Sequence, residues 1–141
     1  MTPSAAEVAG AVARLRFELE RRDFAEAEEA EGGMGGHHLV LVGKAGTPPG
    51  SVTVDLSGDR GHYALQISAG SMTRLIDSRV WQAWLDASPI SSPDIVSQVA
   101  FVVGRLDELA DAANADEEIE GRLVRLGENH MRRLLGMDAE D

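Results

Sequence analysis

Between residues 51 and 68 polar and apolar side chains alternate at every step. Val52, Val54 and Leu56 interleave with Thr53, Asp55 and Ser57, and Tyr63, Leu65 and Ile67 repeat the pattern on the return. Period-2 alternation is the mark of a strand with one wet face. The spacing predicts a hairpin with Ser57 opposite His62 across a Gly58–Gly61 loop. Leu56–Tyr63, Val54–Leu65 and Val52–Ile67 are then the cross-strand pairs, with all six apolar residues on one face. Residues 37–43 (His-His-Leu-Val-Leu-Val-Gly) are more continuously apolar and predict a first strand that is central or covered on both sides. Residues 72–76, with Met72, Arg74 and Ile76 alternating against Thr73 and Leu75, predict a short fourth strand.

Elsewhere the period is helical. Over residues 3–22, Val8, Val12, Leu15 and Leu19 make one stripe, with Pro3 in the first turn and Glu7 near the positive end of the dipole. Asp77 or Ser78 can cap a short helix through Asp86, on which Trp81, Trp84 and Leu85 share a face. Ser91-Ser92-Pro93-Asp94 supplies a hydroxyl cap, a proline for the first helical position and an acid for the first turn. The helix that follows carries Val96, Val99, Val103, Leu106, Ala110 and Ala113 on one stripe, widened by Ile95, Val102 and Leu109. So broad an apolar girth predicts a central helix lying across the sheet, and Gly104 within it predicts a close approach to its backbone. Asp116 can cap a last helix with Ile119, Leu123, Leu126, His130 and Leu134 on one face, kinked or divided at Gly127. Residues 23–36 hold five acids in nine positions and then Gly-Gly-Met-Gly-Gly, which reads as a flexible acidic loop. Residues 137–141 read as a frayed acidic tail.

These elements make a single α+β domain over residues 1–141. An N-terminal helix leads into a three- to four-stranded antiparallel meander, and the C-terminal helices pack on one face of the sheet. In order of elements this is similar to the small acidic chaperones of bacterial secretion systems, a likeness of fold that no diagnostic motif accompanies.

Charge changes the picture more than composition does. Twenty-four Asp and Glu against 13 Lys and Arg leave a formal charge of −11. Such a chain is repelled by phosphate backbones and anionic membranes, so neither nucleic acid nor membrane is expected as a partner. A basic protein would be attracted over long range. Lys44 is the only lysine, the skew of a GC-rich bacterial genome. No cysteine is present, which removes disulfides, thiolate metal sites and thiol nucleophiles. With no bilayer-length apolar run and no basic leader before an apolar stretch, the expected location is the cytoplasm.

No constellation for catalysis emerges. His37 and His38 are neighbours on a strand and face opposite ways. His62 lies on the wet face beside the hairpin loop, and His130 sits in a helical stripe. None has the paired spacing of a zinc site, and no cofactor or metal is expected. Gly33-Met34-Gly35 neither follows a strand nor opens a helix, as a dinucleotide fingerprint must. Gly43-Lys44 lacks the earlier glycine and the following hydroxyl of a phosphate loop. Asp107, Asp111, Asp116 and Glu118 lack the alternation and central glycine of a calcium loop.

The expected function is therefore a non-enzymatic protein-binding module for a basic partner, in the manner of an immunity protein, an antitoxin-like inhibitor or a secretion chaperone. Its candidate contacts are Trp81, Trp84, Glu26, Glu28, Glu29, Asp59 and Arg60. The alternative is a small-molecule binder or small enzyme with a pocket between sheet and helices, using His38, His62 or Asp55. A third reading is a homodimer completed by an apolar helix face.

Overall fold

A computed structural model describes residues 3–32, 36–42, 52–59 and 62–136. The glycine run at 33–35, the Gly-Lys loop at 43–51, Arg60 with Gly61, and the tail at 137–141 lie outside the described residues.

The first helix, α1 (Ala5–Arg21), is closed by local chemistry at both ends. Ser4 Oγ accepts from the Glu7 backbone N–H at 3.1 Å, and the Glu7 carboxylate accepts from the Ser4 N–H at 3.3 Å. This reciprocal capping box puts Pro3 outside the helix, before the cap, and not in the first turn. At the other end Asp23 takes a left-handed φ of 65°. The Phe24 N–H donates to Leu19 O and the Asp23 N–H to Glu20 O, both at 3.0 Å. That is a Schellman closure, and its two apolar members, Leu19 and Phe24, are buried.

The chain then enters a strand where the sequence predicts a loop. β1 (Ala25–Gly32) pairs antiparallel with β2 (Gly36–Val42), so the first part of the 23–36 segment is ordered into the sheet. β3 (Val52–Asp59), β4 (His62–Ala69) and the two-residue β5 (Ile76–Asp77) complete a five-stranded antiparallel meander in the order β1-β2-β3-β4-β5. The Ala-Glu composition of β1 lacks the apolar alternation by which strands are recognised. A register shift between Glu26 and Glu28 breaks its period as well.

The central hairpin forms with a different register. Val54 faces Ile67, Leu56 faces Leu65, and Asp59 faces His62, leaving only residues 60 and 61 between the strands. The predicted pairing is displaced by two residues. Two is the period of the pleat, so every side chain keeps its face while every partner changes. Gly58 stands opposite Tyr63, and its α-carbon lies directly beneath the phenol ring, where a Cβ would collide with two ring carbons.

The expected strand over 72–76 is reduced to its last residue plus Asp77. Its missing part is taken up by the Glu120 carboxylate, whose Oε1 accepts from the Thr73 N–H (3.2 Å), the Thr73 hydroxyl (3.1 Å) and the Arg74 N–H (2.8 Å). Backbone donors engaged in this way are lost to a strand ladder.

Three helices follow. α2 (Ser78–Asp86) is capped by Asp77, as expected. α3 (Ile95–Ala115) is capped by Asp94, whose carboxylate accepts from the Ser97 N–H at 2.8 Å; Pro93 again precedes the helix. α3 kinks at Arg105 (φ −129°, ψ 24°), immediately after Gly104. Gly104 has open space around it, so it marks a weak point in the helix and not a close contact. α4 (Ile119–Leu134) runs unbroken through Gly127, contrary to the expected division; a Cβ there would sit 3.6 Å from Val80. Asp116 accepts from the Glu118 N–H at 2.9 Å just ahead of α4, but the capping position is Glu118 itself, two residues later than expected.

The buried side chains form one cluster. Val52, Val54, Leu56, Leu65, Ile67 and Ala69 of the hairpin join Leu15 and Leu19 of α1, Trp81 of α2, Val99, Val102, Leu106 and Leu109 of α3, and Ile119 and Leu123 of α4. α3 lies alongside β4 and α1 alongside α3.

Candidate functional site

The register aligns residues across the whole sheet. Leu41, Val54, Ile67 and Ile76 form one row that begins at Glu26, and Leu39, Leu56 and Leu65 form another that begins at Glu29. A third row contains Glu28, Val40, Asp55, Gln66 and Asp77. Glu26 and Glu29 thus terminate rows that are apolar in the interior of the sheet, whereas Glu28 begins a largely polar one. β1 itself pairs only with β2 among the described residues, so its other edge carries backbone N–H and C=O groups with no strand beside them. Glu26, Glu28, Glu29 and Glu31 occupy four of its eight positions.

The predicted contact residues do not gather into one place. Glu26, Glu28 and Glu29 lie together on β1, whereas Asp59 ends β3 at the far tip of the neighbouring hairpin. Trp81 is fully buried and its indole N–H donates to Ile67 O at 3.1 Å, so it belongs to the core and not to a surface. Trp84 is half-buried and lines a cleft of about 600 Å³ with Glu118, Arg122, Arg125 and Asn129. The neighbours of that indole include two arginines, the opposite sign from the β1 edge.

The residues of the pocket reading separate as well. A cleft of about 710 Å³ opens between the starts of α1, α3 and β4, and is lined by His62, Tyr63, Arg79, Asp94 and Gln98 among others. His62 is exposed at its rim. Asp55 lies in a different row of the sheet, paired with Val40 and Gln66. His38, on β2, is placed by register opposite Ser57 of β3.

The polar groups of this cleft have structural employment. Arg79 donates from Nε (2.9 Å) and Nη2 (2.8 Å) to the two oxygens of Asp77, and that hydrogen bonding holds its guanidinium more firmly protonated than usual. Ser78 Oγ donates to Gln98 Oε1 at 2.8 Å, and Gln98 Nε2 donates to Pro93 O at 2.9 Å. Gln98 is thereby a buried amide satisfied on both ends, tying α2 to the entry of α3. Asp94 is committed to its cap. Among the described residues no nucleophile–base pair lines the cleft.

Among the described residues no group of three or more histidines or carboxylates could hold a metal ion, and no helix is long and apolar enough to cross a membrane. No family model, curated protein or solved structure matches the chain.

Sequence reasoning missed the sheet edge because it looked for apolar alternation. A weaker signal was present: the acids of β1 sit between a helix that ends at Arg21 and a strongly apolar β2, at the length of one strand.

Proposed function

We propose that the chain is a protein-binding module whose partner is basic, and that the partner docks an extended segment along the outer edge of β1. One observation supports this reading: a terminal strand, open on one side, has glutamate at half of its positions. An open edge offers the hydrogen-bonding template for an added strand. A row of carboxylates would select lysine- or arginine-bearing segments and hasten their arrival in the field of a chain with a charge of −11. An immunity protein, an antitoxin-like inhibitor or a secretion chaperone would each use such a surface. Charge on an edge strand also discourages self-association of sheets, and the experiment separates the two roles.

The test is a backbone amide NMR titration with an eight-residue peptide alternating arginine and valine. Binding is expected to move resonances of β1 and β2, to weaken as salt is raised, and to disappear in a variant with Glu26, Glu28, Glu29 and Glu31 changed to glutamine. A peptide that leaves β1 unmoved, or binds equally well to the glutamine variant, overturns the reading. Movement confined to Tyr63, Arg79 and Gln98 would instead favour the small-molecule cleft as the functional centre.

A further inference from the structure

Two clefts share a wall at the start of α2. Arg79 and Ser92 line both the cleft of about 710 Å³ and a smaller one of about 300 Å³ beside α4. Asp77, which grips Arg79, lines only the smaller of the two. The larger cleft therefore meets the arginine away from its carboxylate partner. Asp77 takes Nε and Nη2, one edge of the planar fork, and among the described residues nothing bonds Nη1. The outer edge, Nη1 with the second hydrogen of Nη2, is left to receive another carboxylate through two parallel bonds. The Arg79 side chain keeps 41% of its surface exposed for that purpose. Asp77 Oδ1 also accepts from the Arg79 backbone N–H, so part of its charge is spent on capping α2. The clamp fixes the guanidinium before any ligand arrives, which lowers the entropy lost on binding.

Asp94 supplies the opposite charge. It lines the same cleft, is exposed, and spends only Oδ1 on the Ser97 N–H. The rest of the wall includes Val8, Pro93, Ile95 and the half-buried ring of Tyr63. A volume in the range of roughly 300–1,000 Å³, apolar walls and a few oriented polar groups are the marks of a small-ligand site. We infer that this cleft binds a small zwitterion with an apolar body, an apolar amino acid or dipeptide. Its carboxylate pairs with the outer edge of Arg79 and its ammonium with Asp94, while its side chains lie against the apolar wall. The two charges also select against simpler ligands. A plain anion would leave Asp94 beside it unpaired, and a plain cation would meet the guanidinium. Nothing in this site draws on the β1 edge, which takes the opposite polarity of partner.

An amide NMR titration of the full chain with leucine and with dileucine tests the inference. At least one of them is expected to move resonances of Tyr63, Arg79 and Ile95, and the tighter of the two reports how far apart the charges are held. That ligand should bind about tenfold more tightly than its N-acetylated or its C-amidated form, each of which lacks one charge. Arg79→Gln should erase the advantage over the amide and leave the advantage over the acetylated form. Asp94→Asn keeps a good capping residue at the start of α3 and should do the converse. Both side chains are solvent-accessible, so both variants should keep the wild-type far-ultraviolet circular dichroism spectrum. Failure of both ligands to move these resonances overturns the inference. So do blocked forms that bind as well as the zwitterion, or variants that discriminate as the wild type does. Glutamine substitution on β1 should leave this titration unchanged, so the two proposals fail independently.

Discussion

The indole nitrogen of Trp81 donates a hydrogen bond of 3.1 Å to the carbonyl oxygen of Ile67, fastening α2 to the middle of β4. Both residues have no measurable exposure, so the bond forms inside the core and the ring fills the space around it. Trp81→Phe keeps most of the volume and loses the donor. It is expected to lower stability by about 2 kcal/mol, from an unpaired buried carbonyl and a small void, measured by urea denaturation. Its remaining fluorescence comes from the half-buried Trp84 and should be red-shifted and more readily quenched by acrylamide.

Gly58 is fixed by the ring above it. Gly58→Ala places a methyl group inside the van der Waals radius of Tyr63 and is expected to cost about 1–3 kcal/mol through displacement of the ring. In a Tyr63→Ala background the same change should be nearly free. A thermal-denaturation double-mutant cycle reads that coupling directly; additive losses would place the strain elsewhere.

Two helical positions carry residues suited to each other's place. Ala87 closes α2 in the left-handed region at φ 50°, where a Cβ is a liability. Gly104, within α3, has open space around it. Ala87→Gly and Gly104→Ala are each expected to raise stability by about 0.5–1 kcal/mol. Because the adjoining residues Asp86 and Arg105 are hydrogen-bonded to each other, the double variant measures how far the two gains add.

Arg105 joins the end of α2 to α3. Its Nη1 donates to Asp86 Oδ1 at 2.5 Å, its Nη2 to Glu108 Oε2 at 2.8 Å, and its guanidinium carbon lies 5.4 Å from the Phe101 ring centre. Hydrogen bonding from Arg105 holds the Glu108 carboxyl below its ordinary value of 4.5. A depressed folded-state value means that the contribution is complete above the unfolded value and is lost as pH falls through the folded one. Arg105→Gln should therefore lower Tm by a few degrees at neutral pH. The gap from wild type should narrow as the solution is acidified below the unfolded carboxyl range, and a constant gap would show that the guanidinium acts through packing alone.

Where burial dictates the pattern, the sequence was sufficient. The stripe of Val99, Leu106, Ala110 and Ala113 marks the core face of α3, and the alternation of Val52, Val54 and Leu56 marks that of β3. Helix starts were placed within a residue or two, but the capping residue was misassigned in α3. Asp94 and the serines before it are chemically equivalent candidates, and only the position of Pro93 relative to the first turn decides between them. The hairpin register was invisible because a two-residue displacement conserves every face. β1 was invisible because its run of Ala and Glu carries no large apolar set, and its strand conformation appears only in its pairing with β2. The acid-rich edge was read as charge without place; what the sheet adds is its position at the end of the strand order.

That strand order has a consequence for how the molecule opens. Among the described residues each strand is hydrogen-bonded only to its neighbours in sequence, so β1 joins the ladder through β2, whereas β4 is flanked by strands and braced by α3. Amide hydrogens should accordingly exchange with deuterated solvent in a gradient, fastest on β1 and slowest on β4, peeling inward one strand at a time. A visitor seated on the outermost strand would reverse the gradient at its fast end while leaving the slow end untouched.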